Sequence, residues 1–364
     1  MSYSLKRRSL LKASLAATTA MALPMRAMAQ DTLRMGVVLP SPEADVGWSH
    51  TLMDGVRSVQ DAFGDQLDVT VLENIAEGPD ADRIANGLVA EGNTVLLLGS
   101  FGYQNGGMQI AQRRPDVSII HASGFLTAPN FSPFTAKYWQ GTYLMGMAAA
   151  SLTQTKKIGC VGAFAIPELI TSINAFMLGA QSVDPEIEMS VVWVNSWFDP
   201  ASEQEAARAL ISQDVDVIFS NAQDTPSVIS LAEEEGVYAF NLNSSMKAYA
   251  PAQYLGVVGT DWGPHFTRLV EAHVAGTFPG ENFWLGMEDD IVFTADWNPD
   301  IPAEIMAEIE TRQAEILAGT FTVFEGPLID QSGAERYAAG VAMTDPEILS
   351  MDWHVAGVTT PLPS

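Results

Sequence analysis

Leu33-Arg34-Met35-Gly36-Val37-Val38-Leu39 is a short apolar run that stops at Pro40, and residues 49–63 follow it with apolar positions at helical spacing. That pair sets a rhythm. Strands are predicted at 69–73, 95–99 and 118–121, alternating with helices at 80–91 and 108–114. The alternation restarts at 158–162 and continues through strands at 189–195, 217–220, 238–242 and 254–258, separated by helices at 169–181, 202–213 and 226–235. Strands joined through helices make parallel sheets covered on both faces, because each right-handed crossover returns the chain to the same sheet. A chain of 364 residues holding two such units predicts two doubly wound α/β lobes.

Ahead of the first strand the sequence reads as an export address. Lys6, Arg7, Arg8 and Lys12 open it, a mild alanine-rich stretch runs over 13–23, and Ala27-Met28-Ala29 precedes Gln30. This layout predicts a cleavable signal peptide over 1–29, twin-arginine-like in its Arg7-Arg8 pair before Leu10-Leu11-Lys12, and hence a periplasmic protein cleaved near Ala29. A lipoprotein needs a cysteine at the cleavage site, and the one cysteine is Cys160, so neither a lipid anchor nor an internal disulfide is expected. No later stretch holds the ~20 apolar residues of a membrane span, so direct membrane insertion is not expected either. Lys6, Arg7, Arg8, Lys12 and Arg26 are the five cations of residues 1–29, which contain no acid; their removal takes the formal charge from −26 to −31. Such a surface repels phosphate backbones, so nucleic acid is excluded as a partner.

In open parallel sheets the ligand sits beyond the C-terminal strand ends. The loops there are 40–48, 99–107, 163–167, 196–200, 220–224 and 243–245. Trp48, Phe101, Tyr103 and Trp197 offer faces for stacking on a flat ring, and Asp45, Asn105, Asp224 and Asn243 offer hydrogen bonds to its edge. Catalysis is not expected. The five histidines form no His-Glu-x-x-His pattern, and His265 and His273 stand eight apart on a predicted helix. There is no Gly-x-Ser-x-Gly elbow and no Walker loop, and Gly99-Ser100-Phe101-Gly102 with Gly106-Gly107 fits no dinucleotide fingerprint. No catalytic residue, metal or cofactor is assigned.

Several segments, in order and spacing, resemble one family: Leu72-Glu73-Asn74-Ile75-Ala76-Glu77-Gly78, Ser100-Phe101-Gly102-Tyr103, the run 173–183 from Ile173-Asn174, Val192-Trp193-Val194-Asn195-Ser196-Trp197-Phe198-Asp199-Pro200, Asp261-Trp262-Gly263-Pro264 and Leu349-Ser350-Met351-Asp352-Trp353. These are similar to the BMP family, the basic membrane protein or PnrA-like substrate-binding proteins of ABC importers, from about Thr32 to the end. The resemblance implies the type I periplasmic binding protein fold. It divides the chain into residues 31–128 with about 262–295 as lobe 1, and about 129–261 with about 296–364 as lobe 2 and a C-terminal extension. It also implies a ligand clamped between the lobes.

By the same resemblance the family's first-loop aspartate and stacking aromatic fall on Asp45 and Trp48, and the third-strand aromatics on Phe101 and Tyr103. Asn174 and Trp262 join the candidate set from the matching segments. Three positions depart from the nucleoside-binding pattern. Asn105 stands where that pattern has an aspartate, Leu242-Asn243-Ser244-Ser245 replaces Val-Asp-Ser-Asp, and Thr260 replaces a lysine. Asparagine loses the charge-assisted bond a carboxylate makes to a sugar diol. The expected ligand is therefore a purine base, adenine-like, or a related flat heteroaromatic, delivered to an ABC permease of the inner membrane by a protein acting as a monomer. A purine nucleoside as ligand, a periplasmic sensor role and, further off, a hydrolase are the alternatives.

Overall fold

The computed structural model describes residues 32–363; the signal-peptide reading falls on residues outside that range. Residues 32–136 give β1 (Leu33–Val38), α1 (Trp48–Phe63), β2 (Leu67–Leu72), α2 (Pro79–Ala90), β3 (Val95–Leu98), α3 (Gln104–Arg113), β4 (Ser118–Ala122) and β5 (Phe131–Ala136). Then come α4 (Tyr138–Leu152), β6 (Lys157–Gly162), α5 (Pro167–Val183), β7 (Glu188–Trp193), α6 (Pro200–Ile211), β8 (Val217–Asn221), α7 (Ser227–Glu235), β9 (Tyr238–Asn243) and β10 (Tyr254–Thr260). The chain finishes with α8 (Gly263–Val274), β11 (Phe283–Leu285), β12 (Val292–Ala295), α9 (Ala303–Leu317), the ribbon β13 (Leu328–Ile329) and β14 (Glu335–Tyr337), and α10 (Asp345–Leu349).

The strands form two six-stranded sheets, ordered β2-β1-β3-β4-β5-β11 and β7-β6-β8-β9-β10-β12. Every pairing in the first is parallel, and only the β10–β12 pair in the second is antiparallel. Covered faces explain the sequences: Val95-Leu96-Leu97-Leu98 of β3 is buried throughout, a continuous apolar run rather than an alternating one. The chain crosses between the sheets three times, after β5, after β10 and between β11 and β12, giving the hinge of a two-lobed protein. The crossings correct the expected lobe boundaries. Phe131–Ala136 pairs with β4 and so belongs to the first lobe although it lies beyond residue 128, while Val292–Ala295 pairs with β10 in the second.

The first crossover delivers α4, apolar all round and buried along most of its length against α5, α9 and β10. Its contact with α5 is backbone on backbone. A Cβ at Gly146 would meet the Phe176 carbonyl at 2.0 Å and one at Gly179 the Tyr143 carbonyl at 1.9 Å, so only glycine permits this approach. The C-terminal segment wraps the second lobe. Met189 donates its N–H to the Gly357 carbonyl (2.8 Å) and its own carbonyl accepts from the Thr359 N–H (2.8 Å), extending the sheet beyond β7. Among the described residues no helix is long and apolar enough to cross a membrane.

Candidate ligand-binding site

The strand ends of both lobes converge on an inner compartment faced by Trp48, Ser100, Phe101 and Ser123 from the first lobe and Glu168, Leu169, Trp197, Ala222, Leu242 and Asn243 from the second, with Tyr138 at the crossover. It measures about 30 Å³, space for a water or two, so a flat heterocycle enters only when the lobes part or the indoles shift.

Each indole is held from behind. Trp48, first residue of α1, packs against Phe134 (6.4 Å between centroids) and Trp262 (6.3 Å), and donates Nε1–H to the Gly99 carbonyl (2.7 Å). Trp197 rests on Phe164 (4.7 Å) and donates Nε1–H across the cleft to Glu77 Oε1 (3.3 Å). The same Glu77 oxygen accepts from Ser100 Oγ (2.5 Å) and the Gly102 N–H (2.8 Å), which shapes the turn that presents Phe101.

Asp224 ties the lobes together. From the second lobe its carboxylate accepts from Ser41 Oγ (2.5 Å) and from the Trp48 N–H (2.6 Å), both in the first, beside a bond from the Gly47 N–H to Ser244 Oγ (2.7 Å). Gly47 is required here, since its φ of 97° is left-handed and a Cβ would meet the Asp224 backbone at 3.0 Å. Burial pushes the Asp224 carboxyl up to about 6, against the hydrogen bonds from Ser41 and Trp48, which favour its charge. Ala222 and Asn243 hold left-handed backbone at φ 62° and 79°, a local cost of about 1–3 kcal/mol concentrated where the second lobe faces the cleft. Asn243 Oδ1 accepts from Tyr138 Oη–H (2.6 Å), which commits the oxygen of this lining side chain and leaves its amide N–H as the group it can offer a ligand.

Of the ten residues the sequence nominated, Trp48, Phe101, Trp197 and Asn243 line the compartment and Asp224 latches it. The other five do not reach it. Asp45 and Asn105 are exposed, Asn105 because it falls on the outer face of α3. Tyr103 is 2% exposed in the first lobe's core, its hydroxyl donating to the Ile75 carbonyl. Trp262 is buried behind Trp48, and Asn174 fastens the C-terminal segment, donating to the Trp353 carbonyl (2.8 Å) and accepting from the Val355 N–H (3.1 Å). Cys160 is buried on β6, where burial pushes its thiol well up and leaves it an inert apolar side chain.

Sequence reasoning missed Glu168. It sits in the first turn of α5, right after the 163–167 loop already marked as a strand-end loop, and only the approach of the two lobes brings Ser123 Oγ of the first within 2.7 Å of its Oε2. Burial pushes its carboxyl from 4.5 up to about 7, with the Ser123 bond opposing. The native state therefore binds more protons than the unfolded one between about 4.5 and 7, and stability falls as pH rises through that window. Glu168→Gln should show a shallower fall and exceed the native protein by about 3 kcal/mol at pH 8, with matching stability at pH 4. Denaturant melts across pH 4–8 check this; a parallel pair of curves would contradict it.

Two α/β lobes hinged by three crossovers, closed over an aromatic compartment at their strand ends, define the type I periplasmic binding protein fold. An ABC transporter solute-binding protein structure from Aeropyrum pernix K1 superposes with a TM-score of 0.70 at 15% identity, over 80% of this chain and 92% of that one. The family model for PnrA-like ABC transporter substrate-binding proteins matches residues 32–325. A purine-binding protein of Brucella abortus is 37% identical over 93% of this chain and 96% of its own length. A putative ABC transporter glucose-binding protein of Haloferax volcanii is 32% identical over 84% of this chain and 77% of its own. The chain belongs to the Bmp family of ABC transporter substrate-binding proteins.

Proposed function

We propose that this chain, exported on the signal read over residues 1–29, binds a purine base between its lobes and presents the closed form to an ABC permease. The observation that carries the reading is the placement of Trp48 and Trp197 from opposite lobes on one compartment with Glu168 and Asn243 beside them. A flat ring stacked on indoles gains about 0.5–1.5 kcal/mol per aromatic pair beyond its buried area. Glu168, with its carboxyl near 7, offers either an acceptor to a ring N–H or exocyclic amine, or a donor to a ring nitrogen, and the Asn243 amide donates to a neighbouring acceptor. Neither Lys nor Arg is among the described residues facing the compartment, which disfavours a phosphate.

The name of the Brucella relative points to the same ligand class. A base is preferred over its nucleoside because Asn243 stands where a sugar-binding carboxylate is expected and Asn105 lies outside, so ribose hydroxyls would be buried with few partners. Titration calorimetry of the exported protein should give saturable heat with adenine and at least tenfold weaker binding of adenosine. Adenosine displacing adenine at equal or lower concentration would overturn the base preference. Saturable heat with glucose and none with any purine would overturn the purine reading itself.

A further inference from the structure

Next to the inner compartment lies a second chamber of about 480 Å³, with Phe101, Ser123 and Glu168 lining both and forming the boundary between them. Part of its wall comes from α10, through Pro346, Ile348 and Leu349. The family model stops at residue 325, so this wall is built by a segment beyond the matched region. The bonds of Asn174 to residues 353–355 and the sheet extension at Met189 fasten that segment to the second lobe, so α10 moves with it. Facing it from the first lobe stand Phe125, 62% exposed, and Trp284.

The chemistry of this chamber is apolar. Among the described residues Glu168 is its one ionisable side chain, so no cation awaits a phosphate. Three of its four hydroxyls spend their protons within the protein: Ser123 on Glu168 Oε2 (2.7 Å), Thr171 on the Glu168 carbonyl (2.9 Å) and Ser350 on the Pro346 carbonyl (2.7 Å), which leaves Thr135. A sugar there would find few donors, whereas an aryl or branched alkyl group would cover Phe, Trp, Ile and Leu surface. We propose that this chamber is a second subsite, which takes an apolar substituent carried by the heterocycle in the inner compartment, with Leu349 as its contact from the C-terminal segment. This proposal rests on the purine reading above.

Adenine and benzyladenine, in which a benzyl group sits on the exocyclic nitrogen, are the probes, titrated into the native protein, Leu349→Trp and Leu349→Ala. Leu349 is 37% exposed, so both substitutions are made at a position the core does not enclose. The native protein should bind benzyladenine at least tenfold more tightly than adenine. Leu349→Trp, which fills the chamber, should abolish that preference by weakening benzyladenine alone, and Leu349→Ala should reduce it. Equal binding of the two probes by the native protein, or equal weakening of both in Leu349→Trp, would overturn the subsite and leave the purine reading in place. Failure of both probes to bind the native protein would remove the purine reading and this proposal together.

Discussion

Asp224→Ala should lower the affinity for adenine about a hundredfold at pH 8, where the carboxyl is ionised. Asp224 accepts from Ser41 Oγ and from the Trp48 N–H across the cleft, and a hydrogen bond to a charged group contributes about 1.5–3 kcal/mol. Two such bonds amount to about 3 kcal/mol at the lower end of that range, or two decades in Kd. Because both partners lie on the opposite lobe, the loss falls on closure. The circular dichroism spectrum should be unchanged, and small-angle scattering at saturating adenine should give a larger radius of gyration than the native complex. Native affinity in the variant would show that Asp224 does not hold the closed form.

Trp48→Ala should weaken adenine at least tenfold, about 1.4 kcal/mol. The bond from Nε1 to Gly99 and the packing on Phe134 and Trp262 fix the plane of the indole, so its remaining face is presented to the compartment without further ordering. Trp48→Phe keeps an aromatic face and loses the Gly99 bond, and should fall between the two. Calorimetry on the three proteins is the check; equal affinities would make Trp48 a packing residue only.

The two-lobe architecture was legible because the inner strands β3, β4, β6 and β8 to β10 are buried along almost their whole length and read as short, mainly apolar runs between helices. β5 escaped because Pro133 interrupts it, and a proline argues against an inner strand. α4 escaped for the opposite reason: it is apolar on every side, so no period marks it. These two adjacent elements carry the first crossover, which lies beyond the boundary at 128 that the resemblance implied.

At the site, Trp197 and Asn243 line the compartment because their loop position alone fixes their direction. Tyr103 and Asn105 were misread because the chain coils into a 3₁₀ turn over Phe101–Tyr103 and then α3, so successive side chains point to different sides. Phe101 faces the cleft, Tyr103 the core and Asn105 solvent. Glu168 and Asp224 are bonded to partners 45 and 183 residues away, a separation that no local pattern encodes.

The most direct test of a purine base held between the lobes is a crystal structure of the exported protein grown with adenine. The ring should lie between the Trp48 and Trp197 indoles, with its edge within hydrogen-bond distance of Glu168 and the Asn243 amide and Asp224 still bonded to Ser41. Adenine bound outside the interlobe compartment, or a compartment occupied by a ligand of another class while adenine is in excess, would contradict it.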